Sequence, residues 1–143
     1  MQNRQKSAPQ NVDYFRIPVN LAAVTSPSGK LDKKSFMEKW KSIPQNTEVS
    51  EMFGGLSGGA NIDATNRALE KTNFFHVASR NQDGNMYAYY SSKLVGPPVT
   101  MVVEIMFPPA NSGKNACKTC VRSDNPSIGK TVLNHLKTTL CGQ

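Results

Sequence analysis

The sequence predicts an α+β domain, an antiparallel β-sheet flanked by helices. Three observations carry this. Strand signals cluster between residues 74 and 123, and two of them are joined by Asp83-Gly84, the dipeptide favoured in tight hairpins. Helical periodicity occupies separate segments bounded by proline or by capping residues. The chain has 143 residues, a length suited to one domain with one hydrophobic core.

Residues 1–10, MQNRQKSAPQ, are polar and without periodicity, and are expected to be a disordered N-terminal segment ahead of a domain over 11–143. VDYFRIPVNLAAV, 12–24, has the β-branched and aromatic content of a strand, with Pro18 confining it to an edge or a bulge. TSPSGK, 25–30, reads as a turn. Asp32 reads as the N-cap of a helix over DKKSFMEKWKSI, which Pro44 ends. TEVSEMF, 47–53, predicts a short strand, and GGLSGGA, 54–60, a flexible loop. NIDATNRALEKTN, 61–73, predicts a short helix capped by Asn61 or Asp63. FFHVASRNQ, NMYAYYSSKLV, PPVTMVVEIMFPP and KNACKTCVRS follow as four strands. Asn125-Pro126 then opens a helix whose apolar positions Ile128, Val132, Leu133, Leu136 and Leu140 fall at helical spacing.

Composition narrows the class. Hydrophobic residues make up 38% and charged residues 19%, which suits a soluble globular domain. The chain lacks a run of eighteen apolar residues, so no helical membrane span is predicted. No apolar stretch follows the basic N-terminal residues, so no secretory signal is predicted either. Cys117, Cys120 and Cys141 form an odd and sparse set, which fits a reducing compartment better than a disulfide framework. The net charge is +7, with basic residues concentrated between Lys30 and Lys41 and between Lys114 and Lys137. Such a surface suits nucleic acid, an acidic membrane face, an acidic protein segment, or solvent alone.

Spacing and geometry weigh against several other chemistries. Gly129-Lys130-Thr131 ends like a phosphate-binding loop, but Asp124 stands where that loop needs glycine, and the segment lies inside a helical pattern. Cys117, Cys120, His135 and Cys141 could together supply a tetrahedral zinc set. On a strand, however, positions 117 and 120 have opposite parity and face opposite ways. Six helical residues also put His135 and Cys141 roughly 120° apart. No nucleophile motif, carboxylate pair or histidine constellation emerges, so no catalytic residue, metal or cofactor is predicted. For nucleic acid, the lysines of 30–41 are interleaved with Asp32 and Glu38, and RNP-like and arginine-rich motifs are missing.

PVNLAAVTSPSGKLDKKSFMEKWKSIPQNTE resembles the start of the C-terminal appendage platform of beta-adaptins, large subunits of clathrin adaptor complexes. The family pattern is met by Gly29, Lys30, Phe36, Trp40, Lys41, Ile43, Pro44 and Glu48. It continues through Val77-Ala78, Arg80-Asn81, Gly84, Tyr89, Ser91, Lys93 and Leu94, and again in VVEIMF with Glu104. The resemblance covers about residues 11–140. It implies a TATA-binding-protein-like platform, an antiparallel sheet with helices packed on it. In that family an immunoglobulin-like sandwich precedes the platform and a hinge with clathrin-binding segments precedes both, so the chain resembles a fragment of a longer protein.

The resemblance also implies a function. It is that of a non-catalytic module binding short, often helical peptide motifs of endocytic accessory and cargo-adaptor proteins. Clathrin is a further candidate partner, and other adaptor subunits would be met through parts of the longer chain. The location implied is cytoplasmic and peripheral on coated vesicles or pits, with membrane contact only indirect. By the same resemblance, Trp40 and Tyr89 form the aromatic wall of the peptide groove and Arg80 orients acidic or carbonyl groups. Glu48 and Glu104 pair with a peptide arginine, and Lys41 and Tyr14 stand as weaker candidates. Met106 departs from the family, standing where relatives often carry a basic residue. A platform of alpha-adaptin or of the COPI gamma subunit is the alternative within the class, and a basic nucleic-acid-binding domain the alternative outside it.

Residue spacing pulls on Trp40 in two directions. Phe36 and Trp40 stand at i and i+4, so the helix wheel turns both toward a core. The flanking Lys39 and Lys41, and the position near the end of the helix, favour a surface anchor.

Overall fold

The computed structural model describes residues 17–20, 33–56, 59–97, 99–109 and 112–141. Helix α1 spans Lys33–Ser42. Five strands follow in chain order, β1 (Val49–Gly54), β2 (Phe74–Gln82), β3 (Asn85–Ser92), β4 (Met101–Phe107) and β5 (Ala116–Ser123). Helix α2 (Ile62–Leu69) lies between β1 and β2, and α3 (Pro126–Leu140) closes the chain. The strands form one sheet in the order β1-β5-β4-β3-β2, every pair antiparallel. The predicted α+β class is the observed one.

Local chemistry explains the boundaries. Asn61 caps α2 by accepting a hydrogen bond from the backbone N–H of Ala64 at 2.8 Å, and Asn125 caps α3 by accepting from Ile128. Pro126 follows in the first turn of α3, where its missing N–H costs nothing. The β2–β3 hairpin turns on Asp83 (φ 54°) and Gly84 (φ 86°), the paired left-handed conformations that match strand twist. Pro44 leads into a short 3-10 turn, Gln45–Thr47, so β1 starts at Val49 rather than at Thr47. The strand expected to run to Val95 stops at Ser92. Val95 and Val99 instead form isolated parallel bridges with Val19.

Two expectations change or pass out of reach. The glycine-rich loop is anchored in its described part, because Leu56 is buried and its carbonyl accepts a hydrogen bond from the Asn115 side chain. Of the strand expected over 12–24, only residues 17–20 are described, and Val19 is fully buried. The segment 1–10, Tyr14, the turn at 25–30 and the Asp32 cap lie outside the described residues.

The sheet has two unlike faces. On one, α2 and α3 cover the larger core, with Phe53, Tyr90, Val103, Ile105, Phe107 and Val121 from the strands meeting Leu69, Val132, Leu133 and Leu136 from the helices. On the other, α1 seals a smaller cluster of Phe36, Trp40, Ile43, Tyr89, Val102 and Cys120. Strand parity sorts the neighbours as the sequence predicts. Tyr89 belongs to the α1 cluster and Tyr90 to the α3 core, and Cys120 and Cys117 divide in the same way.

Candidate functional site

Of the residues singled out by the resemblance, Trp40, Tyr89, Arg80, Glu104 and Glu48 lie together on the α1 face. Cross-strand pairing sets them in rows. One row runs Ser50–Cys120–Glu104–Tyr89–Ala78 through all five strands. A bulge between His76 and Ala78 brings Val77 against the same cluster. The next row, toward the hairpin end, runs Met52–Lys118–Met106–Tyr87–Arg80. Helix α1 lies over the first row, where Trp40 meets Tyr89 edge-on at 5.5 Å between ring centroids.

Trp40 is not an exposed anchor. It retains 5% of its surface and Tyr89 none, so both rings belong to the core under α1. The Phe36–Trp40 spacing, not the flanking lysines, indicates where the indole points. Neighbours at i±1 on a helix stand about 100° away and leave the intervening side chain free to face inward. The aromatic wall therefore supports the α1 face from beneath.

Two arginines organise the polar part of this face. Arg80 donates from Nε to the Tyr89 hydroxyl at 3.0 Å, and that hydroxyl donates to Glu104 Oε2 at 2.5 Å. The Arg80 guanidinium lies 4.1 Å from the centre of the Tyr87 ring, 3.9 Å from Glu104, and bonds Gln82. Arg122 donates to Glu48 Oε1 at 3.0 Å and to the Trp40 carbonyl at 3.1 Å, with its guanidinium 4.1 Å from the centre of the Trp40 ring. Each arginine thus stacks on an aromatic ring; Arg122 bonds Glu48 directly, whereas Arg80 reaches Glu104 through the Tyr89 hydroxyl and a 3.9 Å ion pair. Burial, then the bond to Glu104, raises the Tyr89 hydroxyl far above the usual phenol range, so it remains a proton donor at neutral pH. Lys41 is exposed at the end of α1.

Sequence reasoning missed Arg122, Tyr87, Lys118 and Met52. The signal available for the first three was parity. Tyr87 stands two residues from Tyr89, while Lys118 and Arg122 each stand two residues from Cys120, so all share the α1 face. Met52 is one of two large apolar side chains strongly exposed among the described residues, the other being Val95.

Cys117 and Cys120 are free thiols on opposite faces, raised by burial to about 11 and about 12. They are thiols at neutral pH, where metal binding and nucleophilic attack need thiolate. Among the described residues no group of three or more His, Cys, Asp or Glu is placed to hold a metal ion. Nor is any described helix long and apolar enough to cross a membrane.

Among the described residues the sheet is covered by α2 and α3 on one face and in part by α1 on the other, the architecture of an α+β platform. Residues 26–140 match the beta2-adaptin appendage, C-terminal sub-domain, and the chain belongs to that family. Similar curated proteins include the human AP-1 complex subunit beta-1, 27% identical over 142 residues, or 98% of this chain and 15% of the human one. The Dictyostelium discoideum AP-1 complex subunit beta is 25% identical over 115 residues, covering 80% of this chain and 12% of that protein. The rat AP-1 complex subunit beta-1 is 29% identical over 113 residues, covering 78% and 12%. The chain therefore spans a small part of the length of these relatives.

Proposed function

We propose that residues 11–143 are the appendage platform of a clathrin-adaptor beta subunit. In this reading the platform is a non-catalytic module that binds short, often helical peptide motifs of accessory and cargo-adaptor proteins during vesicle-mediated transport. The family match and the AP-1 beta relatives support the adaptor setting. With that setting come a cytoplasmic location on coated vesicles or pits and further partners among clathrin and the other adaptor subunits.

The observation that supports peptide binding is the row beyond α1, which no described helix covers. Met106, Tyr87 and Arg80 are each half-buried there, and Met52 is 58% exposed. Methionine and tyrosine give adaptable apolar area at modest ordering cost, the composition of a surface that receives another chain. Within this reading Trp40 and Tyr89 act as the rigid floor, Arg80, Glu104 and Glu48 as the polar frame, and Lys41 and Tyr14 as contributors at the margin.

Calorimetric titration tests it. A short helical peptide presenting Phe and Leu on one face should bind the wild-type domain. Tyr87→Ala should weaken binding at least about tenfold, or about 1.4 kcal/mol, with an unchanged circular dichroism spectrum. A folded wild type that ignores a panel of such peptides contradicts the reading.

A further inference from the structure

The two edges of the sheet are not alike. At the β2 edge the strand is interrupted by the bulge between His76 and Ala78, a device that hinders one sheet from pairing with another. The β1 edge has no such protection. Val49–Gly54 pairs with β5 in unbroken register and contains no proline, lysine or arginine. Ser50, Met52 and Gly54 are exposed, and among the described residues no strand pairs with β1 on its far side. The phase of the hydrogen bonds shows which backbone groups face outward. The Gly55 N–H donates to the Asn115 carbonyl at 3.1 Å, next to the Gly54–Ala116 pair. Gly55 and Asn115 are therefore a hydrogen-bonded pair, and at every second residue so are Phe53, Glu51 and Val49 with their β5 partners. Ser50, Met52 and Gly54 then aim their N–H and C=O groups away from the sheet, in a set symmetric about Met52.

We propose that two copies of this chain associate through the β1 edge, antiparallel, with a two-fold axis at Met52. Met52 exchanges both backbone hydrogen bonds with its counterpart, and Ser50 does so with Gly54 of the second copy, so every outward group of the strand is satisfied. The exposed methionines meet on one face of the joined sheet. On the other face Glu51 keeps its bond to Lys137, so the centre of the contact is charge-neutral. The helices also fit. A Cβ at Gly129 would lie 3.6 Å from Val49 and 3.7 Å from Val121, which are cross-strand partners, so α3 straddles the β1–β5 pair. Joining two sheets at β1 sets the two copies of α3 about two strand spacings apart, or roughly 9.6 Å, within the range for packed helices. The opposing force is the net charge of +7 on each copy. A contact this small, made against that repulsion, gives a weak and reversible dimer. It is made by backbone at the strand edge and stands whether or not the row beyond α1 receives a peptide.

Analytical ultracentrifugation of the whole chain, in reductant so that thiols do not cross-link copies, tests it. The expected result is a monomer–dimer equilibrium with a Kd of about 0.1–1 mM. Raising salt should tighten it, because screening weakens the repulsion between like-charged copies. Met52→Lys places a charge at the centre of the edge and should weaken association at least about tenfold, with an unchanged thermal midpoint because the side chain is exposed. Amide hydrogen exchange at Ser50, Met52 and Gly54 should slow as protein concentration rises, while exchange along β2 stays constant. A monomer at all concentrations to about 1 mM overturns the proposal. So does association that weakens with salt, that survives Met52→Lys, or that protects β2 in place of β1.

Discussion

The two faces of the sheet are held by different chemistry. Under α2 and α3 lies the larger apolar cluster, within which the Tyr90 hydroxyl donates to Asn66 at 2.6 Å. Under α1 the apolar cluster is smaller and is framed by two arginine–carboxylate pairs. The difference shows how a small domain divides its tasks. The α3 face supplies most of the area removed from water, the dominant favourable term in folding. The α1 face adds direction, since Arg122 ties the Trp40 carbonyl and ring of α1 to Glu48, and α1 is the one described helix on this face.

That contrast can be broken most severely at Trp40. Trp40→Ala should cost about 3–5 kcal/mol in urea denaturation, the range for emptying a buried aromatic site. A loss below about 1 kcal/mol would place the indole at the surface after all. Arg122→Met should cost less, about 2 kcal/mol. The Arg122–Glu48 pair lies between the exposed and buried extremes, and the substitution leaves Glu48 without its cation. The Trp40→Ala/Arg122→Met double variant should fall short of the sum by at least about 0.5 kcal/mol, because the two residues touch. Full additivity would show that the stacked contact carries no energy.

Alkaline pH probes both faces at once. Cys117 on the α3 side and Cys120 on the α1 side titrate near 11 and 12 when folded, against 9.0 for an unperturbed thiol, because burial disfavours the thiolate. Raised folded values mean that the native state holds its protons longer. The stabilisation is complete below pH 9 and is lost as pH rises through 11 and 12. Tyr89 and Tyr90, also raised by burial, extend the loss above pH 10. Thermal midpoints should fall steadily above pH 9, and Cys117→Ala and Cys120→Ala should each flatten part of that decline. A midpoint unchanged to pH 10.5 would contradict the burial of both thiols. The smallest effect belongs to the cap of α3. Asn125→Ala should cost about 1 kcal/mol and leave peptide binding on the opposite face unchanged.

Local elements were legible in the sequence because their signals are local. The Asp83-Gly84 hairpin, the β2 span 74–82, the Asn61 and Asn125 caps and the α3 periodicity each depend on a handful of neighbouring residues. Strand order was not legible, because β1 reaches past the intervening strands to pair with β5 across a long separation in sequence. The site divides along the same line. Trp40, Tyr89, Arg80 and Glu104 were found through the family resemblance, and the structure gathers them on one face. Parity places Arg122 on the face of Cys120, but its pairing with Glu48, 74 residues away, leaves no local signal. The Phe36–Trp40 spacing carried the burial of the indole, and the flanking lysines did not oppose it, because adjacent residues on a helix report on adjacent faces.

The most direct test of the platform reading is amide chemical-shift mapping of the labelled domain during titration with a helical Phe–Leu peptide. Shifts concentrated at Arg80, Tyr87, Met106, Lys118 and the exposed side of α1, with α3 silent, are the predicted result. Shifts centred on α2 and α3, or none at saturating peptide, would contradict the assignment of the open row as the docking surface.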